Sequence, residues 1–265
     1  MDFGDRTVGA EAGQNACASR TRALIGGGEV PGSNTSVIDK ITIASTGDAV
    51  KFGDLTLARG AGPASVSNST RGIWAGGRTP TAQDIIDYVT IAADGDAVDF
   101  GNLVAARIWV TGCGSQTRGL FIGGGEPGYV NTIEHITIST QGNTADFGDT
   151  QYAAQVMSST SNSIRGIVSG GQAVSGPTTV SVDTINYITI ATLGDAVDFG
   201  DLTNIKRGAG GMSSKTRAVF AGGFDPGTSN IIDYVQIMTT GDAIDFGDAT
   251  NTRFGGGTSN GHGGL

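Results

Sequence analysis

Thr216–Asp248 reads TRAVFAGGFDPGTSNIIDYVQIMTTGDAIDFGD, and this stretch decides the fold. A short apolar segment, Ala218–Ala221, runs into Gly222-Gly223. A second segment alternates around Ile232-Asp233-Tyr234. A third, Ala243-Ile244-Asp245-Phe246-Gly247, follows the turn Thr240-Gly241-Asp242. Three short apolar segments punctuated by Gly-Gly and Gly-Asp are strand and turn signals, and nothing here has helical period.

The same phrase recurs along the whole chain. The arginine that opens the Gly-Gly segment stands at Arg22, Arg71, Arg118, Arg165 and Arg217, at spacings of 49, 47, 47 and 52 residues. After it come ALIGGG (23–28), GIWAGG (72–77), GLFIGGG (119–125), GIVSGG (166–171) and AVFAGG (218–223). Gly47-Asp48, Gly95-Asp96, Gly194-Asp195 and Gly241-Asp242 are tight hairpin turns, with Gly142-Asn143 in the remaining copy. In Ile86-Asp87-Tyr88-Val89-Thr90-Ile91 both strand faces carry apolar residues, as a strand between two neighbouring sheets requires. A Gly/Ser-rich segment before each arginine, such as GAGGMSS (208–214), supplies a fourth strand per copy. Small residues there suit an inner strand near a crowded axis.

A unit of about 50 residues in five copies matches the kelch period. The repeat resembles a kelch propeller blade: an apolar strand ending in Gly-Gly, a second strand with an aromatic, an aromatic-x-x-Leu element, then Arg. Phe52-Gly53-Asp54-Leu55 leads to Arg59, Phe100-Gly101-Asn102-Leu103 to Arg107, and Phe199-Gly200-Asp201-Leu202 to Arg207. Phe stands where kelch blades usually carry Trp, and the third copy departs further, with Phe147-Gly148-Asp149-Thr150 and Gln155 in the Arg position. The resemblance implies an all-β chain forming a single domain over residues 1–265: one five-bladed kelch-like β-propeller with four antiparallel strands per blade. Asp2-Phe3-Gly4-Asp5 at one end repeats Asp245-Phe246-Gly247-Asp248 at the other, so the two termini are expected to close the ring within one blade; the alternative is a fragment of a longer array. The phrase GDAVDFGDLT with TRG-x-x-x-GG is also similar to repeats in structural proteins of tailed phages, particularly phages of marine cyanobacteria.

Composition narrows the function. A net charge of −9 and only four lysines disfavour a nucleic-acid partner. The chain holds no apolar run long enough to cross a bilayer as a helix, and no signal peptide is expected at MDFGDRTVGAEAG. Cys17 and Cys113 fall in equivalent places of copies one and three, where other copies carry Val66, Thr160 and Met212, which predicts two buried free thiols. His135 takes the place of Tyr88, Tyr187 and Tyr234, and His262 lies in the Gly-rich tail, so no metal centre or cofactor is expected. No catalytic motif appears. The repeated aspartates read as solvated charge at sheet edges. The repeat arginines are expected to pair with the turn carboxylates, Arg71 with Asp96 and Arg217 with Asp242.

Specificity should live where copies differ. From the second Gly of Gly-Gly to the acid or Asn of the next strand takes 12, 10, 10, 15 and 10 residues, the longest from Gly171 to Asn186. Glu29, Arg78, Glu126, Tyr129 and Asp225 in these loops are the candidate binding residues. With the phage-like phrasing, they predict a non-enzymatic virion component, of tail, fibre or capsid, that docks on other virion proteins or a host-surface receptor. Homo-oligomerisation in the particle is compatible with this reading. The alternative is a glycan-binding, lectin-like propeller.

Overall fold

A computed structural model describes residues 3–10, 12–224, 226–252 and 257–258. Among them the chain is all β, and its regular strands gather into five four-stranded antiparallel sheets, one per sequence repeat. The first sheet runs Asn15–Ala18, Arg22–Gly26, Val37–Thr42, Val50–Asp54, in that spatial order. The second is Ala64–Ser67, Arg71–Ala75, Gln83–Thr90, Val98–Arg107. The third is Thr111–Gly114, Arg118–Ile122, Thr132–Thr137, Ala145–Asp149. The fourth is Ser158–Ser161, Arg165–Ser169, Thr184–Thr189, Val197–Asp201. The fifth is Gly210–Ser213, Arg217–Ala221, Ile231–Gln236, Ile244–Asp248.

The Gly/Ser-rich segments are the first strand of each sheet, and these strands neighbour one another from sheet to sheet. Their serines link them: Ser65 Oγ donates to Ala16 O at 2.7 Å, Ser159 to Gly112 O at 2.9 Å and Ser213 to Ser161 O at 2.7 Å. The outer strand bulges at its phenylalanine. In the first sheet Ile38 pairs with Gly53 but Asp39 pairs with Lys51, which leaves Phe52 unpaired, and the same shift recurs in all five sheets. The extra residue reverses the alternation, so in the first four sheets Phe turns into the interior directly after two exposed residues.

Four cores lie between consecutive sheets rather than within any one of them. Leu24, Ile38 and Phe52 of the first sheet pack against Trp74, Val89 and Ile91 of the second. Equivalent clusters sit at the second, third and fourth junctions. Each sheet therefore buries its faces only by stacking on its neighbours, the energetic pattern of a tandem array.

The backbone at the outer edge is joined in the same periodic way. Gly95 N donates to Phe52 O at 3.0 Å and Ala97 N to Asp54 O at 2.8 Å, so each Gly-Asp turn is bonded to the Phe-Gly-Asp strand of the preceding sheet. The turn aspartate adds a cap. Asp96 Oδ1 accepts from Asp54 N at 3.0 Å, Asp195 from Asp149 N at 2.9 Å and Asp242 from Asp201 N at 3.1 Å, with Asn143 serving Asn102. These carboxylates are not simply solvated edge charge, as the sequence suggests; they satisfy backbone donors across a junction. The Phe-Gly glycine is what admits the turn, since a Cβ on Gly53 or Gly101 would collide with the carbonyl of Gly95 or Gly142.

The arginine pairing expected from sequence is also corrected. Arg71 Nη1 donates to Ile138 O of the next sheet at 2.8 Å while its guanidinium stacks 4.7 Å over the Tyr88 ring. Arg118 reaches Ile190 O at 2.8 Å, and Arg165 reaches Ile237 O at 3.2 Å. Arg22 bonds Ile91 O and lies 3.5 Å from Asp94, which precedes the turn pair. Arg217 stacks 4.8 Å over Tyr234 and is exposed, with no following sheet to receive it among the described residues. Arg71→Ala should accordingly cost about 1–3 kcal/mol in urea denaturation, against less than about 0.5 kcal/mol for Arg217→Ala.

The two termini do not form one sheet together among the described residues. Phe3–Asp5 is bonded to the turn of the first sheet, Gly47 N to Phe3 O at 2.7 Å and Ala49 N to Asp5 O at 2.8 Å, while Ile244–Asp248 is the edge strand of the fifth.

Candidate functional site

A buried polar staple fixes each junction and so positions every loop. Arg59 lies on the connection from the first sheet to the second. Its carbonyl accepts from Gly28 N of the first at 3.0 Å, and its Nη1 lies 3.0 Å from Asp87 Oδ2 of the second. Both side chains are fully buried, and Thr56 Oγ1 donates to Asp87 Oδ1 at 2.5 Å. Arg107–Glu134 (2.5 Å) and Lys206–Asp233 (2.5 Å) repeat the pair, and Arg6–Asp39 (3.0 Å) does so at the first sheet. Burial holds the Arg59 and Arg107 guanidiniums below their usual pKa, opposed by the adjacent carboxylate.

The fourth sheet carries the exception that explains the rule. Asn186 replaces the acid, and Ala154, rather than the Gln155 that the sequence puts in the Arg position, replaces the cation, so neither charge is left alone. The Tyr152 hydroxyl donates to Gly170 O at 3.0 Å and Thr184 O at 3.4 Å. Arg107 Nη1 makes the same two bonds in the third sheet, to Gly123 O and Thr132 O. One phenol thus stands in for a guanidinium, and burial raises its pKa well above the tyrosine range.

These staples hold the Gly-Gly loops and the sheet-to-sheet connections at one end of the molecule, tied to each other by backbone bridges Ala12–Glu29, Gly60–Arg78, Ile108–Gly125 and Arg207–Phe224. Of the sequence candidates, Glu29 is half-buried and its Oε1 accepts from Ala61 N at 3.0 Å, so its carboxylate is spent on a neighbouring connection. Arg78 and Glu126 are exposed, and Glu126 has φ of 82°. The Tyr129 hydroxyl donates to Gln172 Oε1 at 3.0 Å and accepts from Gln155 Nε2 at 3.0 Å. Asp225 and His262 lie outside the described residues. The loop face brings Tyr129 into a polar cluster and leaves Arg78 and Glu126 on separate sheets.

Reasoning from loop length alone misses two features. The long fourth loop is a hairpin, Gln172–Ser175 with Thr178–Ser181, that extends a small sheet from Ala154–Gln155. Its Val174 is 57% exposed and its Val180 42%. The second is a cavity of about 730 Å³ lined by the first strands of all five sheets. At its mouth stand Trp109, Gln155, Gln172 and Arg207, the last stacked 4.9 Å over Phe224. Trp109 holds φ of 51°, and Ala61, Val156 and Gly208 in the equivalent positions share that left-handed conformation. Their amides and carbonyls chain round the mouth: Trp109 N to Ala61 O at 2.8 Å, Val156 N to Trp109 O at 3.4 Å, Gly208 N to Val156 O at 2.9 Å. A bulky residue in this conformation is strained, and the Trp109 ring lies against Gly62, where a Cβ would strike it.

Inside the cavity the titratable groups offer little chemistry. Cys17 and Cys113 line its wall but are buried and unbonded to each other, and burial pushes both thiols up to about 12. The thiolate is the reactive form, so both should resist alkylation at pH 8 in the native protein and titrate as two thiols once it is unfolded without reductant. His135 packs edge-on to Phe147 at 5.8 Å, as Tyr88 does to Phe100. Among the described residues no three His, Cys, Asp or Glu side chains converge as a metal site requires, and no helix is long and apolar enough to cross a membrane.

In sequence, no family model and no curated protein matches the chain.

Proposed function

We propose that the five sheets are the blades of a kelch-like β-propeller, and that the protein is a non-enzymatic virion component of a tailed phage. It docks through its loop face on other virion proteins or on the host surface. The observation that carries the docking reading is the fourth-sheet hairpin. The strands repeat from sheet to sheet, whereas this connection is the longest and forms a four-pair hairpin carrying two exposed valines, against the two-pair hairpin Glu29–Val30 with Ser33–Asn34 in the first loop. Two valines exposed together on one hairpin offer a protein partner apolar surface to bury. The virion setting rests on the phrase GDAVDFGDLT with TRG-x-x-x-GG and its likeness to phage structural repeats. The acidic balance directs the surface away from nucleic acid.

The test replaces the Gly171–Asn186 connection with the short Gly77–Asp87 one and measures incorporation into particles and adsorption to host cells. Loss of either supports the reading. Retention of both, here and after equivalent swaps in the other sheets, places the binding surface elsewhere.

A second reading is favoured by the cavity mouth. An indole face beside the Tyr129–Gln155–Gln172 amide cluster offers stacking and directional hydrogen bonds, the two contacts a neutral glycan uses. Under it, Trp109→Ala abolishes binding to a glycan array while leaving particle incorporation intact.

A further inference from the structure

The wall of the cavity is chemically unlike the rest of the molecule. The chain holds 25 acidic residues and a net charge of −9, yet no carboxylate stands among the described residues that line the cavity. The charged side chains on that wall are Arg6 and Arg207. Both depart from the repeat. Arg6 follows Phe3-Gly4-Asp5, whereas Leu55, Leu103, Thr150 and Leu202 follow the corresponding triplets and are buried and uncharged. Arg207 bridges to Phe224 as Ala12, Gly60 and Ile108 bridge to Glu29, Arg78 and Gly125, and those three counterparts carry no charge. Two arginines thus stand where other copies have uncharged residues, and both line one cavity.

Their bonding capacity is not used up within the chain. Arg6 Nε donates to Asp39 Oδ2 at 3.0 Å, but Arg6 Nη1 and Nη2 are buried without a hydrogen-bond partner. Gln14 lies on the same wall, and its Oε1 is likewise buried without a partner. By contrast, Ser65 and Ser159 spend their hydroxyls on backbone carbonyls, and Thr111 pairs with Ser159 at 2.6 Å. Arg207 stacks over Phe224 and pairs with no carboxylate among the described residues. Buried donors and acceptors left unbonded are costly, so such groups usually have a partner. Water can satisfy the hydrogen bonds but brings no countercharge. Asp39 offsets Arg6, so the wall is left with the single positive charge of Arg207.

We infer that the cavity is a binding site for a small monoanionic hydroxy acid, of the size of a sugar acid. Its carboxylate supplies the acceptors that the Arg6 and Arg207 guanidiniums lack, and a hydroxyl supplies the donor for Gln14 Oε1. Planar guanidinium forks match a planar carboxylate. A volume of about 730 Å³ is within the range of small-molecule sites and far exceeds what a single ion fills. An inorganic anion would bring the charge but leave most of that volume empty. The inference rests on Arg6, Gln14 and Arg207, and so stands apart from the hairpin docking and from stacking on Trp109.

Calorimetric titration of the full chain with glucuronate, galacturonate and gluconate is the test, with methyl glucoside and inorganic sulfate as controls. At least one sugar acid should bind at one molecule per chain, and both controls should bind at least about tenfold more weakly. Arg6→Lys keeps a cation beside Asp39, as Lys206 stands beside Asp233, but removes the unbonded fork. Arg6→Lys and Arg207→Ala should each weaken the sugar acid by about tenfold or more, with the urea midpoint little changed. Absence of binding by all three acids at millimolar concentration overturns the inference. So does sulfate binding as tightly as the acids, which would make this a general anion site. Undiminished binding by both variants overturns it too, and if Trp109→Ala alone then abolishes binding, the ligand belongs to the mouth.

Discussion

Asp87→Ala destabilises the protein by about 3–5 kcal/mol, because it leaves the Arg59 guanidinium buried without a counter-charge. The loss is read in urea denaturation from the midpoint and slope. The fourth junction shows how the same space is filled without charge. Ala154 stands for Arg59, Asn186 for Asp87, and Tyr152, two residues before Ala154 as Leu57 is before Arg59, supplies the hydroxyl donor. The triple variant Leu57→Tyr, Arg59→Ala, Asp87→Asn should therefore recover most of the stability that Asp87→Ala loses. If Asp87→Ala is itself nearly silent, the pair is not the staple described.

Phe199→Ala should cost about 3–5 kcal/mol, the range for truncating a fully buried aromatic. It is 2% exposed within the core between the fourth and fifth sheets. Phe246→Ala removes the same side chain from the same place in the repeat, yet it should cost less than about 1 kcal/mol, since it is already 56% exposed. Sequence alone makes these two substitutions equivalent. A comparable loss at both positions would mean that something covers the fifth sheet in solution.

Much of the architecture was legible because glycine and turn chemistry are local. Gly27, Gly76, Gly123, Gly170 and Gly222 all have φ between 58° and 73°, so a Gly-Gly after an apolar run marks a strand end wherever it occurs. The buried acids were harder to read, because an aspartate in an alternating strand looks like a solvent-facing residue. Only the joint change of Ala154 with Asn186 signals that cation and acid depend on each other. The destination of the repeat arginines was hidden for a different reason. Ile138 and Ile190 accept through backbone carbonyls, which every residue possesses, so no side-chain pattern betrays them. The bulge at Phe52 and its counterparts likewise leaves no mark beyond the following glycine. At the candidate site, loop length pointed to the fourth connection, and Tyr129 was found in its cluster. Trp109 was missed because its place at the cavity comes with a backbone conformation that the sequence does not display.

Hydrogen exchange resolved to single amides tests most directly whether the five sheets form a series joined by identical junctions. Asp54, Asn102, Asp149 and Asp201 donate to the turn residue of the following sheet, so their amides should exchange at comparably slow rates. Asp248 has the same place in its own sheet, but among the described residues no sheet lies beyond it, and its amide should exchange far faster. Equal protection at all five positions would contradict an open series and show that the fifth sheet is already covered by the first.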